Sequence, residues 1–323
     1  MASDGTVAQI GKAQTPMSNR PIRPILVCMV WRGGERFDRA LTSIAQTLPH
    51  FDRVVLSITG SEFGEDMARA TAFQERHPHV EVICTGEEWP TMRHQAFWID
   101  YLVRSGATPQ DWIYWLAYDD EARARGIDAI VNDAGSWPLV PGTAYFGPWA
   151  MRHEQPEQLW TGDPRERLES WTSFPVEGPT ELAVEQWIAE QLRRPTYMQM
   201  SGSVNALQSF IDLRDLCPRK RGPMRIEMAV ASARGSRSVA EFSEPVSIIY
   251  GRSNSDRAAY GKRARKEDMH LATWLARYSL RHPRAAKALA MATLSAAGST
   301  IAAAVGMKDL PTEEWRVRGT LNP

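Results

Sequence analysis

An α/β fold, a doubly wound, mostly parallel sheet flanked by helices, is predicted by three observations. Apolar runs of strand length alternate with helix-periodic segments through the first 135 residues. Turns containing glycine or acidic residues follow most of those runs, and the fourth run ends abruptly in the carboxylates Asp119-Asp120-Glu121.

The elements follow in order. Ile25 to Trp31 is a continuous apolar run, then Arg32-Gly33-Gly34 turns the chain into a helix with Phe37, Leu41, Ile44, Ala45 and Leu48 on one stripe. Val54 to Thr59 is a second buried strand, ending at Gly60-Ser61 and leading to a helix through Met67, Ala70 and Phe73. Val80 to Cys84 is a third strand and Met92 to Val103 the helix after it; Trp112 to Ala117 is the fourth strand. Right-handed crossovers put the ends of such strands on one side, so Trp31-Arg32, Thr59-Gly60 and Asp119-Asp120 are expected on one rim.

Beyond about residue 136 prolines and tryptophans are scattered among charges and the chain reads as loop-rich. An amphipathic helix is expected over Glu181 to Leu192, a strand or loop over Met198 to Val204, a helix near Leu207 to Leu213 and a strand over Pro245 to Tyr250. From Ala258 the composition is helical, broken at His282-Pro283, with an alanine-rich segment from Ala285 to Val305. The expected organisation is a disordered leader (1–20), an α/β half (21–135), a loop-rich half (136–257) and a helical arm (258–323).

Composition narrows the classes. The chain has 323 residues, and Lys+Arg and Asp+Glu each total 38, so no net field draws it to nucleic acid. Cys28, Cys84 and Cys217 are far apart and read as buried reduced thiols. The polar first 20 residues lack a signal-peptide core, so a cytoplasmic location is expected, at the inner face of a membrane if the carboxyl-terminal basic surface rests there.

Three carboxylates at a strand end admit two readings. They hold a divalent ion that neutralises a phosphorylated ligand, or they form a solvated turn capping the next helix. His77-Pro-His79 reads as a surface turn rather than a metal site, and the tryptophans read as core, with Trp149 and Trp160 as acceptor-groove candidates.

Over about residues 24 to 255 the chain resembles the family 2 glycosyltransferases of GT-A fold. The resemblance is carried by Trp31-Arg32, by Ser43-Ile44-Ala45-Gln46, by Thr91-Met-Arg93-His-Gln95 and above all by Trp112 to Glu121. It implies a GT-A-like sheet with a carboxyl-terminal helical extension, residues 21–135 being the nucleotide-sugar-binding half and 136–257 the acceptor-binding and catalytic-base half. The implied activity is inverting transfer of a sugar from a nucleotide-sugar to a glycan or lipid-linked acceptor in bacterial surface-polysaccharide assembly, with Mn²⁺ or Mg²⁺. It assigns Asp119, Asp120 and Glu121 to the metal; Trp31, Arg32, Thr59, Arg93, Asp119, Arg225 and Arg252 to the nucleotide-sugar; and Glu227, after the Gly222-Pro223 turn, to the general base. Two positions depart from the family: Ala117 stands at the first acidic position and Ile58-Thr59 where an acidic pair is usual. A catalytically inactive GT-A-like binding protein and a nucleotidyltransferase are the alternatives; the second needs a glycine-rich basic loop, for which Arg32-Gly33-Gly34-Glu35 is too brief. A histidine ligand usual after the Tyr250 strand is absent, leaving Asn254, Ser255 or Asp256.

The basic residues Lys262 to Arg284, beside Leu271, Trp274, Leu275 and Leu280, suit peripheral contact with an anionic membrane, or packing on the catalytic domain or a second subunit in a homo-oligomer. Ala285 to Val305 is too rich in small residues for a membrane span.

Overall fold

The computed structural model describes residues 22–154, 168–172, 174, 179–184, 186–187, 200–216, 236–252 and 317–321. Its first part follows the expected order: β1 (Ile25–Val30), α1 (Glu35–Thr47), β2 (Arg53–Ile58), α2 (Glu65–Arg76), β3 (Val80–Cys84), α3 (Thr91–Arg104) and β4 (Trp112–Ala117).

The fold is α/β. These four strands are parallel and lie in the order β3-β2-β1-β4. Every residue of β1 is buried, which explains its uninterrupted apolar run. Leu26, Cys28 and Val30 face a core with Phe37 and Ile44 of α1 and Phe73 of α2, whereas Ile25, Val27 and Met29 face Trp98, Ile99 and Leu102 of α3. Each large apolar side chain so buried contributes roughly 1.5–3 kcal/mol. With α1 and α2 on one face and α3 on the other, the winding reverses between β1 and β4. A crevice therefore opens at the carboxyl ends of those two strands.

The rest of the chain adds β5 (Glu121–Ala122), α4 (Ala124–Ala134), β6 (Thr143–Tyr145), β7 (Trp149–Glu154), β8 (Leu168–Trp171), β9 (Glu181–Ala183), β10 (Ser203–Ala206), α5 (Leu207–Leu216), β11 (Ser238–Ala240), β12 (Ser247–Arg252) and β13 (Val317–Leu321). The main sheet continues past β4 as β10-β6-β11-β9, so it crosses residue 135 without a break. A second, five-stranded sheet runs β13-β8-β7-β12-β5.

Three expectations change. The loop-rich region from residue 136 contains strands of three to six residues, too short for a periodic signal. The predicted helix over Glu181 to Leu192 begins instead as β9, paired antiparallel with β11, with exposure alternating along Glu181, Leu182 and Ala183; Val184, Gln186 and Trp187 are helical as expected, and residues 185 and 188–192 lie outside the described residues. Trp149 is 2% exposed and so belongs to the interior, not to a groove; Trp160 lies outside the described residues. Leu207–Leu216 and Ser247–Arg252 are helix and strand as expected, and Cys28 and Cys84 are free thiols, the first fully buried. His77 and His79 sit at the end of α2 and in the turn after it. Among the described residues no helix is long and apolar enough to cross a membrane. The leader, the basic stretch 262–284 and the alanine-rich segment lie outside them, and Val317–Leu321, within the expected arm, pairs with β8 as a strand.

Candidate functional site

Four strand ends are stitched into one rim by backbone bonds. The Thr85 N–H donates to the Ile58 carbonyl at 3.0 Å, the Thr59 N–H to Val30 at 3.0 Å, and the Tyr118 N–H to Met29 at 3.2 Å. Trp31, Arg32, Thr59, Asp119 and Asp120 therefore share one edge, as the alternation of elements predicted.

At the end of β1, Arg32 has φ 51 and passes the chain to Gly33-Gly34, whose N–H groups donate to the Asp66 carboxylate of α2 at 2.8 and 3.0 Å. A Cβ on Gly33 would stand 2.7 Å from that of Phe37, so the turn lies hard against α1. Trp31 projects into solvent at 50% exposure. Arg32 reaches across to Glu88, donating from Nε and Nη2 at 2.8 and 3.0 Å, and this hydrogen bond holds Glu88 below the usual carboxylate range. Both partners are solvent-exposed, so the pair is screened and readily exchanged for a ligand phosphate.

Thr59 accepts a hydrogen bond from the Trp89 N–H at 2.7 Å and so fixes the β3–α3 loop. Arg93, in the first turn of α3, stacks 3.8 Å over the Trp89 ring with Glu87 at 3.5 Å. Arg32 and Arg93, two of the four arginines expected at the nucleotide, thus both lie beside the loop of residues 87–89, which no sequence motif had marked. One helical position on, His94 is buried, hydrogen-bonded to Ser57 at 2.8 Å, and burial pulls its pKa down to about 4.

The acidic turn closes with the Asp120 N–H donating to Ala117 at 3.2 Å. It does not cap the following helix: Glu121–Ala122 become a strand antiparallel to β12, and α4 starts at Ala124 without a side-chain cap. Asp120 is 3% exposed and accepts the Tyr250 N–H at 3.2 Å, while Glu121 accepts the Tyr250 hydroxyl. Burial, then the Asp119 and Asp120 charges, push the Cys28 thiol of β1 upward. Burial, then the bond to Glu121, raise the Tyr250 phenol.

Ser43, of the Ser-Ile-Ala-Gln segment, accepts the Ala122 N–H at 3.0 Å and donates to Ala40 at 2.8 Å. This residue anchors the chain just past the carboxylates, and Tyr250 anchors them from the other side. Tyr250 went unnoticed in the sequence, where it was only the end of a predicted strand.

Glu121 lines a cavity beside α1 to which Asp119 and Asp120 do not contribute. Among the described residues, no three of His, Cys, Asp and Glu form a group able to hold an ion unaided. A cation at this turn needs ligand oxygens as well, the habit of Mg²⁺ with one or two carboxylates plus phosphates, so the donor set fits an ion delivered with a diphosphate. Arg225 and Glu227 lie outside the described residues, as do Asn254, Ser255 and Asp256. Arg252 closes β12, opposite Glu154 in register.

No family model and no curated protein matches the chain. Solved structures resemble it weakly. A mannosyltransferase from Pyrobaculum calidifontis with GDP-Man and Mn²⁺ is 14% identical at a TM-score of 0.45, covering 93% of this chain and 81% of that one. GalNAc-T7 with UDP, GalNAc and Mn²⁺ is 10% identical at 0.46, covering 73% and 45%. S. aureus TarS is 7% identical at 0.42, covering 71% of this chain and 37% of its own. This chain thus spans less than half the length of the last two. At these scores the likeness assigns neither chemistry nor residues to this chain.

Proposed function

We propose that the chain is a metal-dependent inverting glycosyltransferase of GT-A type that moves a sugar from a nucleotide-sugar to a glycan or lipid-linked acceptor. The observation that carries this reading is the gathering of Trp31, Arg32, Thr59, Asp119 and Asp120 on one rim at the β1/β4 crevice. Trp31 offers an exposed ring for a base, and Arg32 and Arg93 offer guanidinium groups for the diphosphate. Asp119, Asp120 and Glu121 are the proposed ion ligands, Glu121 through the oxygen that does not accept the Tyr250 hydroxyl.

A divalent ion, when bound, stabilises the charge appearing on the departing diphosphate. Glu227, our assigned base, takes the proton of the acceptor hydroxyl as its oxygen bonds to the anomeric carbon and the bond to the nucleoside diphosphate breaks.

Calorimetric titration of UDP-, GDP- and dTDP-sugars with and without Mn²⁺ tests the proposal. One donor is expected to bind at least tenfold more tightly with the ion, and Asp119→Asn to remove most of that gain. Nucleotide binding that is absent, or indifferent to metal, sinks it. Ala117, where the family has a carboxylate, favours a second reading as a binding protein on the same scaffold; donor binding without turnover, unchanged in Glu227→Gln, would identify that case.

A further inference from the structure

Two consecutive glutamates of one loop hold both of the arginines offered to the diphosphate. Glu88 takes Arg32 at two points of its guanidinium fork, at 2.8 and 3.0 Å, and the Trp31 side chain adds a weaker hydrogen bond to the same carboxylate. Glu87 stands 3.5 Å from Arg93 Nη1 and accepts the Trp89 indole N–H at 2.7 Å. All four charged side chains are more than half exposed.

A carboxylate presents two oxygens to a guanidinium fork much as a phosphate does, so each glutamate fills the place of a phosphate on its arginine. Left there, the two negative charges repel a diphosphate, and for one to bind they must turn away. The backbone around them is fixed. The Trp89 N–H donates to the Thr59 hydroxyl at 2.7 Å, and that hydroxyl donates to the Glu87 carbonyl at 3.4 Å. The turn that carries Arg32, at φ 51, is likewise held, by the Gly33 and Gly34 N–H groups on Asp66. Exchanging carboxylate for phosphate therefore takes new rotamers at Glu87 and Glu88, not an opening of the loop, and exposed pairs are weak enough to give way.

We propose that Glu87 and Glu88 are affinity-determining residues: internal counter-ions that keep Arg32 and Arg93 ordered before the donor binds, yield them to the diphosphate and reclaim them as the nucleoside diphosphate leaves. Given that Arg32 and Arg93 serve the diphosphate, as proposed above, these two glutamates weaken nucleotide binding and hasten release.

Calorimetric titration of UDP, GDP and dTDP into the whole protein with Mn²⁺ tests this. Breaking an exposed pair changes affinity by up to about fivefold, so Glu88→Gln is expected to bind the preferred nucleotide about three- to fivefold more tightly than the unaltered chain, Glu87→Gln about twofold, and the double variant about tenfold. Glu88→Asp keeps the charge but falls a methylene short of Arg32, so it too should gain, by about twofold; that gain separates release of Arg32 from simple loss of negative charge. The proposal is overturned if a nucleotide binds the unaltered chain and Glu88→Gln binds it no more tightly, or if Glu88→Asp gains nothing. Should no nucleotide bind the unaltered chain or any variant, the nucleotide-sugar reading falls and takes the role of the glutamates with it.

Discussion

Tyr250 holds Asp120 through its backbone and Glu121 through its hydroxyl, and the same hydroxyl accepts from Arg152. Tyr250→Phe therefore breaks two side-chain contacts while keeping the ring under Arg39. A loss of about 1–3 kcal/mol is expected, measured as a lower urea midpoint with an unchanged slope. His94 gives a pH signature. Its folded pKa of about 4 lies below its ordinary 6.5, so beneath the higher value the unfolded chain binds a proton that the folded chain refuses. Stability is full above about pH 6.5 and is lost as pH falls toward 4, by roughly 2 kcal/mol between pH 7.5 and 5. Urea unfolding at those two pH values checks this, and His94→Gln should flatten the difference. In the sequence, Asp119 and Asp120 were legible as a pair at a strand end. Thr59 was not legible as a loop clamp, nor Tyr250 as their partner, because each role depends on a residue brought near only by the finished fold.

Among the elements, α1 and β5 are coupled through one buried hydroxyl. Removing it in Ser43→Ala leaves the Ala122 N–H without an acceptor inside the protein and is expected to cost about 1–3 kcal/mol. Faster exchange of the Ala122 amide, against an unchanged rate in β2, distinguishes this local loosening from general destabilisation. The same element pair shows where sequence reading works. Trp112–Ala117 has the predicted bounds because a fully apolar run of six residues has few other uses, and α1 shows because its buried residues recur at helical spacing. Glu121–Ala122 has two residues, so nothing local separates it from a turn; its strand character comes from Ser247 and Ile248 across the ladder. Glu181–Ala183 misled for a related reason. Its pattern fits a helix stripe equally well, and pairing with Ser238–Ala240 decides the matter.

At the scale of the whole molecule, β1 is the pivot: it is hydrogen-bonded on both sides, buried on both faces and shared by two cores. Its amides are expected to exchange slowest, in the global unfolding limit, while those of the edge strands β3 and β9 open locally and exchange faster. Hydrogen exchange read by mass spectrometry ranks them; equal protection in β1 and β9 contradicts the picture. The bond from Tyr250 to Asp120 spans 130 residues of chain. During synthesis at 5–20 residues per second, the carboxylates emerge on the order of ten seconds before the strand that secures them. A nascent chain ending short of β12 can already pair its four parallel strands, yet its acidic turn has nothing to lean on. Competence at the crevice is therefore set by the late arrival of a single strand, not by completion of the sheet that carries it.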